Sequence, residues 1–433
     1  MCAAVAPFGA SAAPLATTTG ALDATNSEGQ FRTAEQAVAA GHPEAAIESY
    51  KALAKNADRA VRSEARFRAA QLLSARGHFT DAAVLLRAAL DDLPDARPIR
   101  LEFARTLAMM GREPSARREL HQAQVTPGTP QEAEQIRRFP EALMAGRFFS
   151  GTVEVAFAPS SYIDRANTAT TLNMNIVPFT LGNSARIQSG PGLRVSGFSS
   201  LRANLADHVA LRARFTSHNN IYSAAHYDDN ILSDDFAIEG QWQNDRLRLG
   251  IGQAYRIYYG RLVSTTSAIN GNWLHNLGHR SHIEIEADVG DIRYARTPNQ
   301  SGQVYAGSLT FEHAFSARAG ARLSVVGQRE TAKAPGYAVA LVGTSLLAWH
   351  EFGKATLSGT FGVQHLIADR ALPLYADRRN DWLFRIGGNV AFRKFKVFGF
   401  SPAVRVSYEN NVSSVRVFAY HRADAEIAFN HAF

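Results

Sequence analysis

The chain has 433 residues, 46% hydrophobic and 20% charged, with a formal net charge of +7. That length exceeds one ordinary domain, and the composition excludes a disordered or low-complexity chain. Mean hydropathy is -0.17 and no run of about 18 apolar residues occurs, which excludes a helical membrane span but not a membrane barrel, whose alternating strands vanish in such averages.

Residues 1–25 open "MCAAVAPFGASAAPLATTTGA". "GASAAP" resembles the small-residue end of an export signal peptide, although a positive n-region is missing. An export-signal remnant or a disordered start is expected here. Cys2 is the single cysteine, so no intrachain disulfide can form. Nothing apolar precedes it, which argues against a lipid anchor at that residue.

Residues 26–147 carry Ala, Leu, Arg, Glu and Gln with apolar residues recurring at three and four, a helical period. "AAGHPEAAIESYKAL", "SARGHFTDAAVLLRAAL" and "AMMGREPSARRELHQA" align on Gly41, Gly77 and Gly111, 36 and 34 residues apart. That interval is the period of a helix-turn-helix repeat of the tetratricopeptide kind. The middle unit supplies Ala69, Ala70, Leu73, Ala82, Leu86 and Ala89 as packing positions, and Pro94 stops its second helix. Ala46 and Tyr50 match in the first unit, Ala116 and Leu120 in the third. A periplasmic helical-repeat domain is expected, ending in a helix or linker over "PQEAEQIRRFPEALMAGR".

From residue 148 to 433 the period becomes two. Val209, Leu211, Ala213 and Phe215 alternate with Ala210, Arg212, Arg214 and Thr216, and Ile283, Ile285, Ala287 and Val289 with His282, Glu284, Glu286 and Asp288. About fourteen such segments follow, beginning near Gly151, Leu193, His208, Asp235, Arg246, Ser264, Ser281, Gln303, Ala319, Tyr337, Lys354, Trp382, Val397 and Val415. "NLAD", "QNDR", "NLGH" and "HEFGK" are tight turns. Ser160–Gly190, Ser217–Ser233, Arg296–Ser301 and Asp369–Asp381 are longer polar loops. Short turns on one side and long loops on the other describe a transmembrane antiparallel β-barrel in the outer membrane. A β-sandwich would also bury one face of each strand, but the loop alternation and the strand lengths favour the barrel. Ile427, Phe429 and Phe433 share one face of the last strand, and terminal aromatics of this kind resemble the signal read by the barrel-insertion machinery. The expected partners are therefore outer-membrane lipid and that machinery. The lumen is lined by Arg212, Arg214, Arg248, Glu284, Glu286, Asp288, Arg322, Arg405, Arg416, Arg422, Asp424 and Glu426. Mixed signs argue against strong ion selectivity.

No phosphate loop, dinucleotide fingerprint, zinc-ligand pair or nucleophile elbow occurs. No enzyme activity, cofactor or metal is expected. The basic charge is scattered Arg without a nucleic-acid motif, so no nucleic-acid partner is expected either. One loop, "AAHYDDNILSDD", holds His226, Asp228, Asp229, Asp234 and Asp235. It offers calcium ligands or an acid/His pair for hydrolysis at a barrel rim; an ordinary acidic, solvated loop is the simpler account.

The last two strands, "FGFSPAVRVSYENNVSSVRVFAYHRADAEIAF", carry an aromatic-Gly-x-x-Pro step at Phe398–Pro402. A strand with Arg405 and Tyr408, an Asn-Ser turn at Asn410–Ser414 and an aromatic-Tyr-x-Arg segment at Phe418–Arg422 follow. Together with the domain order, this resembles the surface lipoprotein assembly modulator family of Gram-negative outer membranes. The resemblance implies delivery of specific client proteins to the cell surface. The clients would be surface lipoproteins, or secreted relatives that acquire haem or iron. A passive porin or a polysaccharide-export pore on a periplasmic scaffold is the alternative.

Overall fold

The computed structural model describes residues 21–125, 128–129, 131, 136, 139, 148–161, 171–173, 178–180, 189–223, 227–373, 375–392 and 401–432. The chain divides into two compact units, Met1–Ile136 and Arg137–Phe433. The division falls eleven residues before the boundary expected at 147. Most of the "PQEAEQIRRFPEALMAGR" segment lies outside the described residues.

Among its described residues the first unit holds six complete helices: α1 (Ala21–Ala39), α2 (Pro43–Leu53), α3 (Arg59–Ala75), α4 (Phe79–Asp92), α5 (Arg97–Met109) and α6 (Glu113–Ala123). Helix therefore begins at Ala21, inside the stretch expected to be a disordered start. The helices pair as three hairpins, and each hairpin turns at one of the three aligned glycines. Gly41, Gly77 and Gly111 have φ of 79°, 78° and 72°, a left-handed conformation that costs a residue with a Cβ about 1 kcal/mol or more. Each turn closes with the same two bonds. Gly77 N–H donates to Ser74 and His78 N–H to Leu73; Gly41 with His42, and Gly111 with Arg112, repeat the pattern. This double bond is the Schellman cap, which satisfies carbonyls that the helix end leaves open. Pro94 sits two residues past the end of α4, where a helix cannot continue.

The small residues of the repeat bring helix backbones together and the large ones fill the space left. Ala46, Ala69, Ala70, Ala82, Leu86, Ala89 and Ala116 are wholly buried, and Tyr50, Leu73 and Leu120 nearly so. Polar side chains tie the hairpins. Asp92 on α4 receives Arg62 and Arg66 from α3, and Arg100 on α5 reaches Glu119 and Gln122 on α6. Arg76 pairs with Glu44 and holds its carboxyl below the usual range.

The second unit is a closed antiparallel barrel. Its strands are β1 (Phe149–Phe157), β4 (Gly192–Ala206), β5 (Val209–Tyr222), β6 (Asp229–Gln241), β7 (Asp245–Tyr258), β8 (Arg261–Leu277) and β9 (Ser281–Tyr294). The circuit continues through β10 (Gly302–Ser316), β11 (Ala319–Glu330), β12 (Val339–Phe352), β13 (Ala355–Ala371), β14 (Arg378–Phe392), β15 (Ser401–Ser413) and β16 (Tyr420–Ala432). Separate from the barrel, β2 (Thr171–Asn173) pairs antiparallel with β3 (Pro178–Thr180), both between β1 and β4 in sequence. Fourteen strands make the circuit, and β16 closes on β1. Because the number is even, β1 begins and β16 ends at one rim, which also carries two-residue turns such as 207–208, 317–318 and 353–354.

Several strand starts differ from expectation. β6 begins at Asp229, six residues before Asp235, and β5 runs on to Tyr222. Where a loop was expected over Ser217–Ser233, only 223–228 separate the two strands. The loop expected over Asp369–Asp381 shrinks in the same way, to 372–377. The reason is that strands extend beyond the apolar band, where both faces are polar and the period-two signal disappears. β16 begins at Tyr420, and Arg416 lies in a 3-10 turn, Arg416–Phe418, outside the lumen wall. At the long-loop rim one connection is not a loop. Tyr259 and Gly260, with φ of 52° and 64°, join β7 to β8 in a two-residue turn with both central φ positive, the type I′ hairpin geometry.

Replacing Leu86 by Ala removes a wholly buried side chain. It should cost the helical unit about 2–5 kcal/mol. Val84→Ala, on the same helix but partly exposed, should cost less than about 1 kcal/mol. Denaturant unfolding followed by the helical circular-dichroism signal separates the two.

Candidate functional site: the wall of the barrel

Alternation gives the wall two chemically different surfaces. Outward residues form an apolar band. Phe236, Ile251, Ile269 and Val289 are register partners on β6 to β9 and all are exposed, Ile269 by 67%. A single exposed Ile needs no explanation, but a belt of exposed Leu, Ile, Val and Phe around all fourteen strands would aggregate in water. The belt has defined edges. On β9 the outward residues run Ser281, Ile283, Ile285, Ala287, Val289, Asp291. That ten-residue step, at about 3.4 Å per residue and a tilt of about 40°, is roughly 26 Å high. An apolar band of about 25 Å is what a membrane barrel presents to lipid.

Aromatic rings mark the edges, as expected where a ring meets the polar–apolar boundary. At the short-turn rim Trp273 stacks on His275 at 5.6 Å, and Asp245 accepts the Trp273 indole N–H at 2.9 Å. At the other edge His365 stacks on Trp382 at 4.2 Å. Of the three residues expected to form the insertion signal, Ile427 faces outward with 48% exposure. Phe429 shares its face through pairing with Val155 and Pro402. Phe433 lies outside the described residues.

Lumen-facing residues carry the charge. Arg212, Arg214, Arg248, Glu284, Glu286, Asp288, Arg322, Arg405, Arg422, Asp424 and Glu426 all lie on the inner side of their strands, opposite in parity to exposed apolar neighbours. Arg212 and Arg202 share Glu239, at 3.3 and 2.9 Å. Arg248 reaches Glu286 at 3.6 Å. Arg246 donates to Asn272 at 2.6 Å and to Glu284 at 2.8 Å. Arg322 grips Glu312. The Arg214 guanidinium lies 4.0 Å over the Phe198 ring, a cation–π contact. Arg422 joins Glu409 at 3.1 Å and Asp424 at 2.9 Å.

The seam between β1 and β16 is built differently from the other strand pairs. Its ladder has six registered pairs, Thr152–Phe157, where the others have nine or more. Beyond Phe157, Pro159 offers no N–H, and pairing resumes only as a bridge from Ser160 to Asp424. Two ion pairs cross this seam in opposite directions, each passing over a strand. Arg405 on β15 reaches past β16 to Glu154 on β1 with both guanidinium nitrogens, each 2.6 Å from a carboxylate oxygen. Arg194 on β4 reaches past β1 to Glu426 on β16. The sequence reading identified Arg405 and Glu426 as lumen residues but missed Glu154 and Arg194, because strands far apart in sequence meet only on closure.

The candidate acidic loop does not assemble. Asp229, Asp234 and Asp235 lie in β6, so Asp234 and Asp235 point to opposite faces. Asp229 pairs with Arg256 at 3.0 Å, Asp235 accepts from Asn270 at 2.6 Å, and Asp228 accepts the Tyr222 backbone N–H. His226 lies outside the described residues. Among the described residues no group of three His, Cys, Asp or Glu converges on a metal position.

A tetratricopeptide-repeat family model matches residues 73–126, the second half of the helical unit. No curated protein matches the chain. Solved barrels match at low similarity. A Pseudomonas aeruginosa FadL homologue is 9% identical with a TM-score of 0.37, covering 72% of this chain and 95% of its own. The outer membrane channel DcaP of Acinetobacter baumannii is 7% identical, with a TM-score of 0.39 and coverages of 66% and 96%. CdiB from Escherichia coli is 8% identical, with a TM-score of 0.38 and coverages of 66% and 63%. The architecture rests on the chain's own registers, not on these likenesses.

Two outcomes are expected. Ile269→Arg, in the middle of the outer band, should cost about 2–4 kcal/mol of barrel stability in lipid, whereas the lumen-facing Ser345→Arg should be tolerated; urea titration of protein refolded into liposomes measures both. At the seam, Arg405→Ala and Glu154→Ala should each cost about 1–3 kcal/mol and the double variant little more than either. Such non-additivity in a double-mutant cycle is the signature of a direct pair.

Proposed function

We propose that this protein resides in the outer membrane, holds its helical repeats on the periplasmic side, and moves a polypeptide client to the cell surface. The observation that carries the reading is the joining, in one chain, of a tetratricopeptide-like array to a closed barrel with a lipid-facing exterior. Such arrays bind partner polypeptides along their stacked helices. A binding module tethered to a barrel raises the local concentration of its client there without a new contact.

The orientation follows from general barrel practice: short turns face the periplasm, and β1 begins at the short-turn rim. The resemblance of the last two strands to the surface lipoprotein assembly modulator family supports a surface lipoprotein, or a secreted haem- or iron-acquisition relative, as client. The chain is proposed to act without catalysis or a cofactor, so the work of transfer comes from client folding or from helper proteins. The lumen also fits a general conduit: most of its arginines are paired to carboxylates, which leaves no single-sign field to select an ion.

Removing residues 26–147 while keeping the barrel should abolish surface display of the client and leave its total amount unchanged. Protease shaving of intact cells, with proteome comparison against a strain lacking the protein, reads this directly. An unchanged surface proteome with reduced solute uptake or glycan export would instead make the barrel a pore.

A further inference from the structure

The outer face of the wall carries a groove of about 570 Å³ across β6 to β10, within the roughly 300–1,000 Å³ of ligand sites. Phe236, Ile251, Ile269 and Val289 form its apolar side, one register row across four strands. Asp234, Gln253, Ser267, Asp291 and Gln303 form its polar side. They are the next outward row toward the long-loop rim. Asp291 is where the apolar band of β9 ends, so the groove straddles the boundary between acyl chains and headgroups. Its backbone requires glycine at two places. Gly252 and Gly290 line it; a Cβ on Gly252 would lie 2.6 Å from the Asp234 carbonyl oxygen, and one on Gly290 2.2 Å from that of Ser267.

At the β9 end of the groove the polar side offers both signs of charge. Among the described residues, neither Asp291 nor Arg293, the next outward residue on β9, meets an opposite charge. The lumen-facing Asp229 and Asp235 differ, since Arg256 and Asn270 hold them. Gln303, the register neighbour of Asp291 on β10, accepts the Tyr305 hydroxyl at 2.6 Å through its carbonyl oxygen, which leaves its amide N–H groups to donate. We infer that this groove holds a lipid with a phosphoethanolamine headgroup. The ammonium meets the Asp291 carboxylate, a charge-assisted hydrogen bond. The phosphate meets the Arg293 guanidinium, whose planar fork suits it, and the Gln303 amide. The acyl chain continues the lipid belt along Val289, Ile269 and Ile251. An anionic headgroup without an amine would satisfy Arg293 and be repelled by Asp291. The inference rests on the outer face of the barrel meeting lipid, as argued above, and not on what the lumen carries. Surface display could fail its test while the lipid site stands, or the reverse.

The test uses the full chain in mild detergent, mixed with equal amounts of phosphatidylethanolamine and phosphatidylglycerol bearing the same acyl chains, and native mass spectrometry counts the lipid each molecule retains. The unaltered protein should keep phosphatidylethanolamine over phosphatidylglycerol by about fivefold or more, the worth of one hydrogen bond to a charged group. Asp291→Asn should bring that preference below about twofold. Asp234→Asn should leave it in place, because Asp234 lies three strands away, about 14 Å at the usual strand spacing. Equal retention of the two lipids by the unaltered protein, a preference that survives Asp291→Asn, or the same loss from Asp234→Asn overturns the inference. Both substitutions are isosteric and lie on the outer face, and the unaltered protein alone can already overturn the assignment if either variant fails to fold.

Discussion

In lipid, no backbone N–H or C=O can be left without a partner, since no water is there to take it. Everything in the second unit follows from that constraint. A sheet with an edge is forbidden, so the sheet closes, and fourteen strands complete the circuit. Closure concentrates the difficulty in one place. β16 must find β1 across the whole length of the barrel sequence, and the two share a ladder of six pairs. The lumen compensates where the ladder is short. Arg405 to Glu154 and Arg194 to Glu426 each span three strands, binding both sides of the seam to strands that are fully paired.

The same alternation that satisfies the lipid outside divides the lumen inside. From β14 through β16 and β1 to β9 the inner wall is a run of Arg–carboxylate pairs. β12 and β13 differ: their inner residues run Val339, Leu341, Gly343, Ser345, Leu347, Trp349 and Glu351, then Thr356, Ser358, Thr360, Gly362, Gln364, Leu366 and Ala368. Glu351 is the one charge among them. Two walls of different chemistry therefore face one another across the same lumen. The helical unit is held together by other means: identical glycine caps set each hairpin, alanines set the helix spacing, and Arg62, Arg66 and Arg100 meet carboxylates between helices.

Legibility followed the physics of each signal. The glycines at 41, 77 and 111 were readable because a left-handed cap excludes most other residues, so the fold writes it into the sequence at a fixed interval. The strands were readable where one face touches lipid: Ile283, Ile285, Ala287 and Val289 against Glu284, Glu286 and Asp288 leave little choice. They were misread where the strand leaves the lipid. Asn219, Asn220, Asp229 and Asn230 lie in strands but alternate polar with polar, which also describes a loop. Arg416 was expected in a strand beginning near Val415, yet the chain turns there, in the 3-10 turn Arg416–Phe418.

The sequence by itself determined the two periods, the inner position of most of the lumen arginines and the near-even spacing of fourteen strands. Those are local properties, fixed by side chains a few residues apart. Tertiary structure alone decided which charges meet and which lumen residues are buried. Glu154 and Arg405 are 251 positions apart, and Arg246 and Glu284 are two strands apart in the wall. Their pairing depends on barrel closure and register, which set side by side residues that no local pattern connects.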